Sequence, residues 1–86
     1  ILMSHLGRPK DKVVPELSLK ACADRLSEIL HMPVEFSSDC VGSEAKRLAD
    51  RLSPGQVLLL ENLRFHRGEE HPEEDPGFVK QLAELG

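Results

Sequence analysis

Two stretches of unbroken apolar residues stand out from an otherwise mixed chain of 86 residues: Ile1-Leu2-Met3 and Val57-Leu58-Leu59-Leu60. Runs this short, with turn residues behind them, suit strands buried on both faces of a parallel sheet. Between them, Leu19, Cys22, Ala23, Leu26, Ile29 and Leu30 recur at helical spacing and give one apolar stripe, with Ser18 placed to cap the helix and His31 and Pro33 marking its end. Val34 and Phe36 alternate with Glu35 and Ser37, which predicts a short edge strand with one buried and one more polar face. After the connection from Asp39 to Ser43, a second helix follows with Ser43 as its cap. Ala45, Leu48, Ala49 and Leu52 share one of its faces, and Glu44, Lys46, Arg47, Asp50 and Arg51 fall to solvent. Ser53-Pro54-Gly55 turns the chain into the second apolar run. Beyond an acidic stretch, Asp75 caps a third helix that has Pro76 at its first position and Phe78, Leu82 and Leu85 on its inner stripe, before Gly86 stops it.

Strand and helix therefore alternate three times. That order implies parallel strands joined by right-handed crossovers, an α/β fold with a three-layer α/β/α Rossmann-like sheet, here a partial domain of about three strands and three helices. A chain of 86 residues makes at most one small domain. It opens inside an apolar run and closes directly after a helical pattern, which suggests a piece of a longer polypeptide. If so, the outer side of Ile1–Ser4 lacks its neighbour and should present an exposed apolar edge that invites association.

The net charge of -4 argues against a general nucleic-acid binder while leaving room for a small local cluster of cations. The two cysteines, Cys22 in a helix and Cys40 in a loop, have neither metal-ligand spacing nor a disulfide framework and read as reduced residues of a cytoplasmic protein. The longest apolar runs reach about four residues against the roughly twenty that span a bilayer, and no signal peptide is evident. Glu69, Glu70, Glu73, Glu74 and Asp75, around His71-Pro72, read as a solvated charged surface.

The chemistry is concentrated just past the two apolar runs. The first ends in Ser4-His5-Leu6-Gly7-Arg8-Pro9 and the second in Glu61-Asn62-Leu63-Arg64-Phe65-His66. In open α/β sheets, ligands sit outside the carboxyl ends of the strands, so two such loops on neighbouring strands would face one site. A phosphate needs several donors at once, and the planar fork of Arg pairs two of its oxygens, which makes Arg8 and Arg64 the leading candidates. Gly7 either lets the backbone approach a ligand or makes the turn. Glu61 and Asn62 are expected to fix the second loop through hydrogen bonds to its backbone. Lys10 and Arg67 are read as solvated charges, and His66 as structural.

These two segments, in this order and this far apart, closely resemble the amino-terminal domain of phosphoglycerate kinases, and the resemblance covers essentially the whole chain. It implies that the third strand lies between the first and the second. It also implies that His5, Arg8 and Arg64 belong to a basic patch holding the phosphate of 3-phosphoglycerate, with Leu6 and Gly7 completing the substrate-binding segment. The implied reaction is reversible phosphoryl transfer between 1,3-bisphosphoglycerate and ADP, giving 3-phosphoglycerate and ATP in glycolysis. Mg and ATP/ADP would be bound outside residues 1–86, in a carboxy-terminal domain absent from this sequence, so that the piece alone would be inactive and no catalytic or metal-binding residue is assigned within it. The parent is expected to be a cytoplasmic monomer without nucleic-acid or membrane partners. Two other readings compete: a non-catalytic phospho-ligand module, and a dinucleotide-binding unit. The latter is disfavoured because the first loop offers only Gly7 where that fingerprint needs three glycines.

Overall fold

The run of leucines becomes the centre of the sheet. In the computed structural model, which describes residues 1–86, strand β2 (Val57–Leu60) pairs in parallel with strand β1 (Val34–Ser37), in the register Val34↔Val57 to Ser37↔Leu60. On its other side β2 meets Leu2, which donates to the Leu58 carbonyl at 2.7 Å and accepts from the Leu60 amide at 3.0 Å. The third of the predicted strands thus lies between the first, at Leu2, and the second, β1, as the resemblance implies.

The first segment does not form the full strand expected of it. It contributes a single bridge, Leu2↔Leu59. Two steps further on, the next bridge would need the Asn62 amide to reach the Ser4 carbonyl. The Glu61 carboxylate takes that amide at 2.7 Å, and Ser4 O accepts from Leu63 N at 3.0 Å instead. The ladder ends because a side chain competes for its donor.

Alternation along β2 sorts its leucines between two layers. Leu59 faces helix α1 (Lys20–Leu30) and packs with Leu19 and Ala23, flanked by Val34 and Phe36. Leu58 and Leu60 face helices α2 (Ser43–Asp50) and α3 (Pro76–Ala83) and pack with Ala45, Leu48, Ala49, Leu52, Leu82 and Leu85. One helix on one face and two on the other give the three-layer arrangement.

Three local expectations are corrected. Ser43 is the first residue of α2 and not its cap; Gly42, at φ 99, holds that position. The stripe of α1 is only half covered: Leu19 and Ala23 are buried, whereas Cys22, Ile29 and Leu30 are exposed because no element packs over that part of the helix. On β1 the most buried residue is polar Ser37, whose hydroxyl donates to the Asp39 carbonyl at 2.6 Å. Asp75 does cap α3, accepting from the Phe78 amide at 3.1 Å with Pro76 at the first helical position. Ile1, Leu2 and Met3 are all exposed, so the apolar edge read from the sequence is present. No helix is long and apolar enough to cross a membrane.

Candidate functional site

Both polar loops emerge at the same end of the sheet, and one buried side chain from the second loop, Asn62, ties them together. Asn62 is fully buried. Its Nδ2 donates to the carbonyls of Leu6 at 2.8 Å and Leu17 at 2.9 Å, and its Oδ1 accepts from the Arg64 amide at 3.0 Å, closing a short 3-10 turn over Leu63–Phe65. The amide has one acceptor end and one donor end, and here each is used. The geometry therefore fixes Leu6 of the first loop and Arg64 of the second with respect to one side chain.

Glu61 extends the same framework. Its carboxylate accepts from Ser18 Oγ at 2.6 Å, from Leu19 N at 2.8 Å and from Asn62 N at 2.7 Å. A buried carboxylate needs such donors to offset its lost hydration, and the start of α1 supplies them where the helix has free amides and partial positive charge. Ser18 is not the cap of α1, a position held by Leu19; from one residue further out its hydroxyl accepts from Lys20 N at 3.2 Å as one member of this longer network. Glu61 and Asn62 fix the second loop through its backbone, as the sequence suggested, and also reach the first loop and α1.

Of the sequence candidates, His5, Leu6, Gly7 and Arg8 all lie exposed on the first loop. Gly7 has φ +68, a left-handed conformation that glycine adopts at little cost, and a Cβ there would meet Leu17 Cδ2 at 2.8 Å. It serves the turn, and the close approach it permits is to Leu17. Arg64 is a quarter exposed. Its Nε donates to Glu69 Oε2 at 2.9 Å, with Glu70 Oε1 at 3.8 Å. The molecule's ion pairs in this region run through Arg64 and Arg67, leaving His5 and Arg8 as the outward-facing cationic or titratable groups of the first loop.

Arg67 and most of the acidic stretch are exposed, as read from the sequence, but they are also paired. Arg67 donates to Asp11 at 2.9 Å and pairs with Glu74 at 2.7 Å, a bridge from the second loop to the first and to the acidic segment. The hydrogen bond to Asp11, with further help from Glu74, raises the already high pKa of its guanidinium. Asp11 and Lys10 both have left-handed backbones, φ 62 and 59. Such a conformation is uncommon for residues other than glycine, Asn and Asp, and no spacing in the sequence announces it. The acidic segment itself folds into 3-10 turns at Arg67–Glu69 and Pro72–Glu74, and Glu69, Glu70 and Glu74 face arginines.

His66 is structural, as expected. Its Nε2 is bonded to Asp39 Oδ1, and its ring stacks on Phe78 with centroids 4.7 Å apart. Next to it, the fully buried Cys40 donates its thiol to the Glu61 carbonyl at 2.9 Å. Burial first, then Asp39 and Glu61 nearby, push that thiol from an ordinary 9.0 up to about 12. Because the folded-state value is raised, the stability contributed by the neutral thiol is complete below pH 9 and is lost as pH climbs from 9 toward 12. Denaturant unfolding of the wild type is thus expected to weaken more steeply across that window than unfolding of Cys40→Ala. Parallel pH profiles would show Cys40 to be unimportant. On the folded protein, without denaturant, a maleimide at neutral pH should label exposed Cys22 and spare Cys40.

Comparison with known proteins gives the family. A family model described as phosphoglycerate kinase matches residues 1–86. Among curated relatives, the phosphoglycerate kinase of Chloroherpeton thalassium is 58% identical over 86 residues, covering 100% of this chain and 21% of that protein. That of Chlorobium phaeobacteroides strain BS1 is 57% identical with the same coverage, and that of Chlamydia caviae is 54% identical, covering 100% of this chain and 22% of its own. The chain spans about a fifth of the length of the curated relatives it matches. With a match along its entire length and relatives of one name throughout, the chain belongs to the phosphoglycerate kinase family.

Proposed function

We propose that residues 1–86 form part of the amino-terminal domain of a cytoplasmic, monomeric phosphoglycerate kinase and carry part of its 3-phosphoglycerate site. In this reading the complete enzyme reversibly transfers a phosphoryl group between 1,3-bisphosphoglycerate and ADP. The observation that carries the reading is the Asn62 tether, which joins the loop bearing His5 and Arg8 to the turn bearing Arg64 at one end of β2. Guanidinium groups from both loops then serve one oxyanion, with the backbone of Leu6 and Gly7 completing the substrate-binding segment.

These residues bind more than they react. Phosphoryl transfer is catalysed chiefly by positioning and by charge stabilisation, and a fixed phosphate at the non-reacting end of the substrate sets where its carboxyl end lies. Bound ATP would supply the transferable phosphoryl group, or ADP accept it in the other direction, and Mg would neutralise the charge of the phosphates. The residues present do not fit that task. Asp39, Cys40 and His66 approach one another, but the thiol is held protonated and the imidazole is taken by Asp39; in the group His71, Glu73 and Glu74, the last is paired with Arg67. As the resemblance implies, the nucleotide is read as bound by residues outside these 86, and the piece on its own as inactive. Ile1, Leu2 and Met3 offer a surface through which isolated copies would associate.

In the complete kinase, Arg64→Ala is expected to weaken 3-phosphoglycerate binding by about 1.5–3 kcal/mol, the usual worth of a hydrogen bond to a charged group, and to leave ADP affinity unchanged. Calorimetric titration of both ligands measures this. Undiminished 3-phosphoglycerate affinity would take Arg64 out of the site.

A further inference from the structure

Arg64 is gripped along one edge only. Its Nε–H donates to Glu69 Oε2 at 2.9 Å, and both side chains are largely buried, at 25% and 20% exposure. Glu70, 3.8 Å away, is 54% exposed and is the looser neighbour. The backbone under Glu69 is firm. It belongs to the turn Arg67–Glu69, its amide bonds to the His66 carbonyl at 3.3 Å, and Gly68 beside it is buried so closely against Phe78 that a Cβ would lie 2.7 Å from Phe78 Cδ1.

A guanidinium has a side edge that includes Nε and an end edge made by its two terminal nitrogens. With Nε engaged, the end edge keeps its donors in the fork geometry that suits two oxygens of a phosphate. The charge of Glu69 opposes an incoming anion, yet its grip removes the rotational freedom that Arg64 would otherwise lose on binding.

We propose that Glu69 is a positioning residue for the phosphate of 3-phosphoglycerate, acting through Nε of Arg64 to hold the end edge of the guanidinium toward the ligand. This rests on the reading of Arg64 as a phosphate anchor. Orientation and charge make opposite demands on the side chain, and Gln separates them because it retains an acceptor oxygen without the charge.

The test is made in the complete kinase polypeptide, with calorimetric 3-phosphoglycerate and ADP affinities and steady-state kinetics for Glu69→Ala, Glu69→Gln and Arg64→Ala. Glu69→Ala is expected to raise the Kd and KM for 3-phosphoglycerate about tenfold, the cost of immobilising one long side chain on binding, with kcat and ADP affinity nearly unchanged. Glu69→Gln should restore affinity to within about threefold, because the acceptor survives. If both Glu69 variants bind 3-phosphoglycerate as tightly as wild type or more tightly while Arg64→Ala binds it weakly, Glu69 is a competitor or a purely structural partner and the inference fails alone. Should Arg64→Ala leave the affinity unchanged, the anchor reading fails and takes this inference with it. A Glu69→Ala protein that melts early but meets the Gln variant at wild-type affinity also overturns it.

Discussion

Replacing Asn62 with Ala is expected to lower stability by about 3 kcal/mol or more and to release the first loop from the second. Three hydrogen bonds vanish together, those to the Leu6 and Leu17 carbonyls and from the Arg64 amide. Each is worth about 1 kcal/mol net, and the groups left without partners in a buried place add their own desolvation penalty. Such a loss is a large share of the roughly 5–15 kcal/mol that holds a domain folded. The near-isosteric Asn62→Asp should be no milder, since a carboxylate would face two carbonyls with no proton to offer. Urea unfolding gives the stability change, and hydrogen exchange across residues 4–9 reports the loop. An Asn62→Ala protein with wild-type stability and unaltered exchange there would show that the loops are held by something else.

Glu61→Ala is expected to cost about 3–5 kcal/mol. Its carboxylate receives the Ser18 hydroxyl and the amides of Leu19 and Asn62, and hydrogen bonds to a charged acceptor are worth about 1.5–3 kcal/mol each, less than additively when they share one group. Glu61→Gln should lose roughly half as much, because one amide oxygen still accepts from both backbone amides while the NH2 group faces Ser18 Oγ, whose hydroxyl must then accept where it had donated. The damage should begin at the start of α1, over 40 residues away in sequence. Circular dichroism and exchange at residues 18–23 follow it. Protection loss confined to residues 61–66 would limit Glu61 to its own loop.

The fold was legible where side-chain period and burial agree. Val57–Leu60, the stripe of α2 and the Asp75-Pro76 start of α3 follow directly from spacing, because apolar faces have one place to go. The first strand was overestimated for a reason that spacing does not carry: whether a ladder continues depends on competition for the Asn62 amide, and the competitor is a neighbouring side chain. The α1 stripe was overestimated because periodicity states what a helix is able to bury and not what is available to cover Cys22, Ile29 and Leu30.

For the candidate site, residue type pointed to the loops, and the motif resemblance supplied the roles. Their physical linkage was hidden. That Asn62 spans to Leu6 and Leu17, or that Arg67 reaches Asp11, depends on separations of 56, 45 and 56 residues that no local pattern encodes. Glu69 looked like one more solvated acid because its direction is set by a turn packed on Phe78, a contact made only once α3 has docked.

The uniform leucines of β2 have a final consequence. Slip that strand so that each place is taken by the preceding residue, and leucine replaces leucine at two places and Val57 replaces Leu58 at a third, so greasy packing alone barely tells the aligned sheet from the shifted one. The discriminating information sits immediately downstream, where the slip would swap an acid for an amide against partners that accept only one of them. The polar dipeptide therefore acts as an alignment pin for the sheet, and weakening it should broaden the set of pairings the chain samples before it settles.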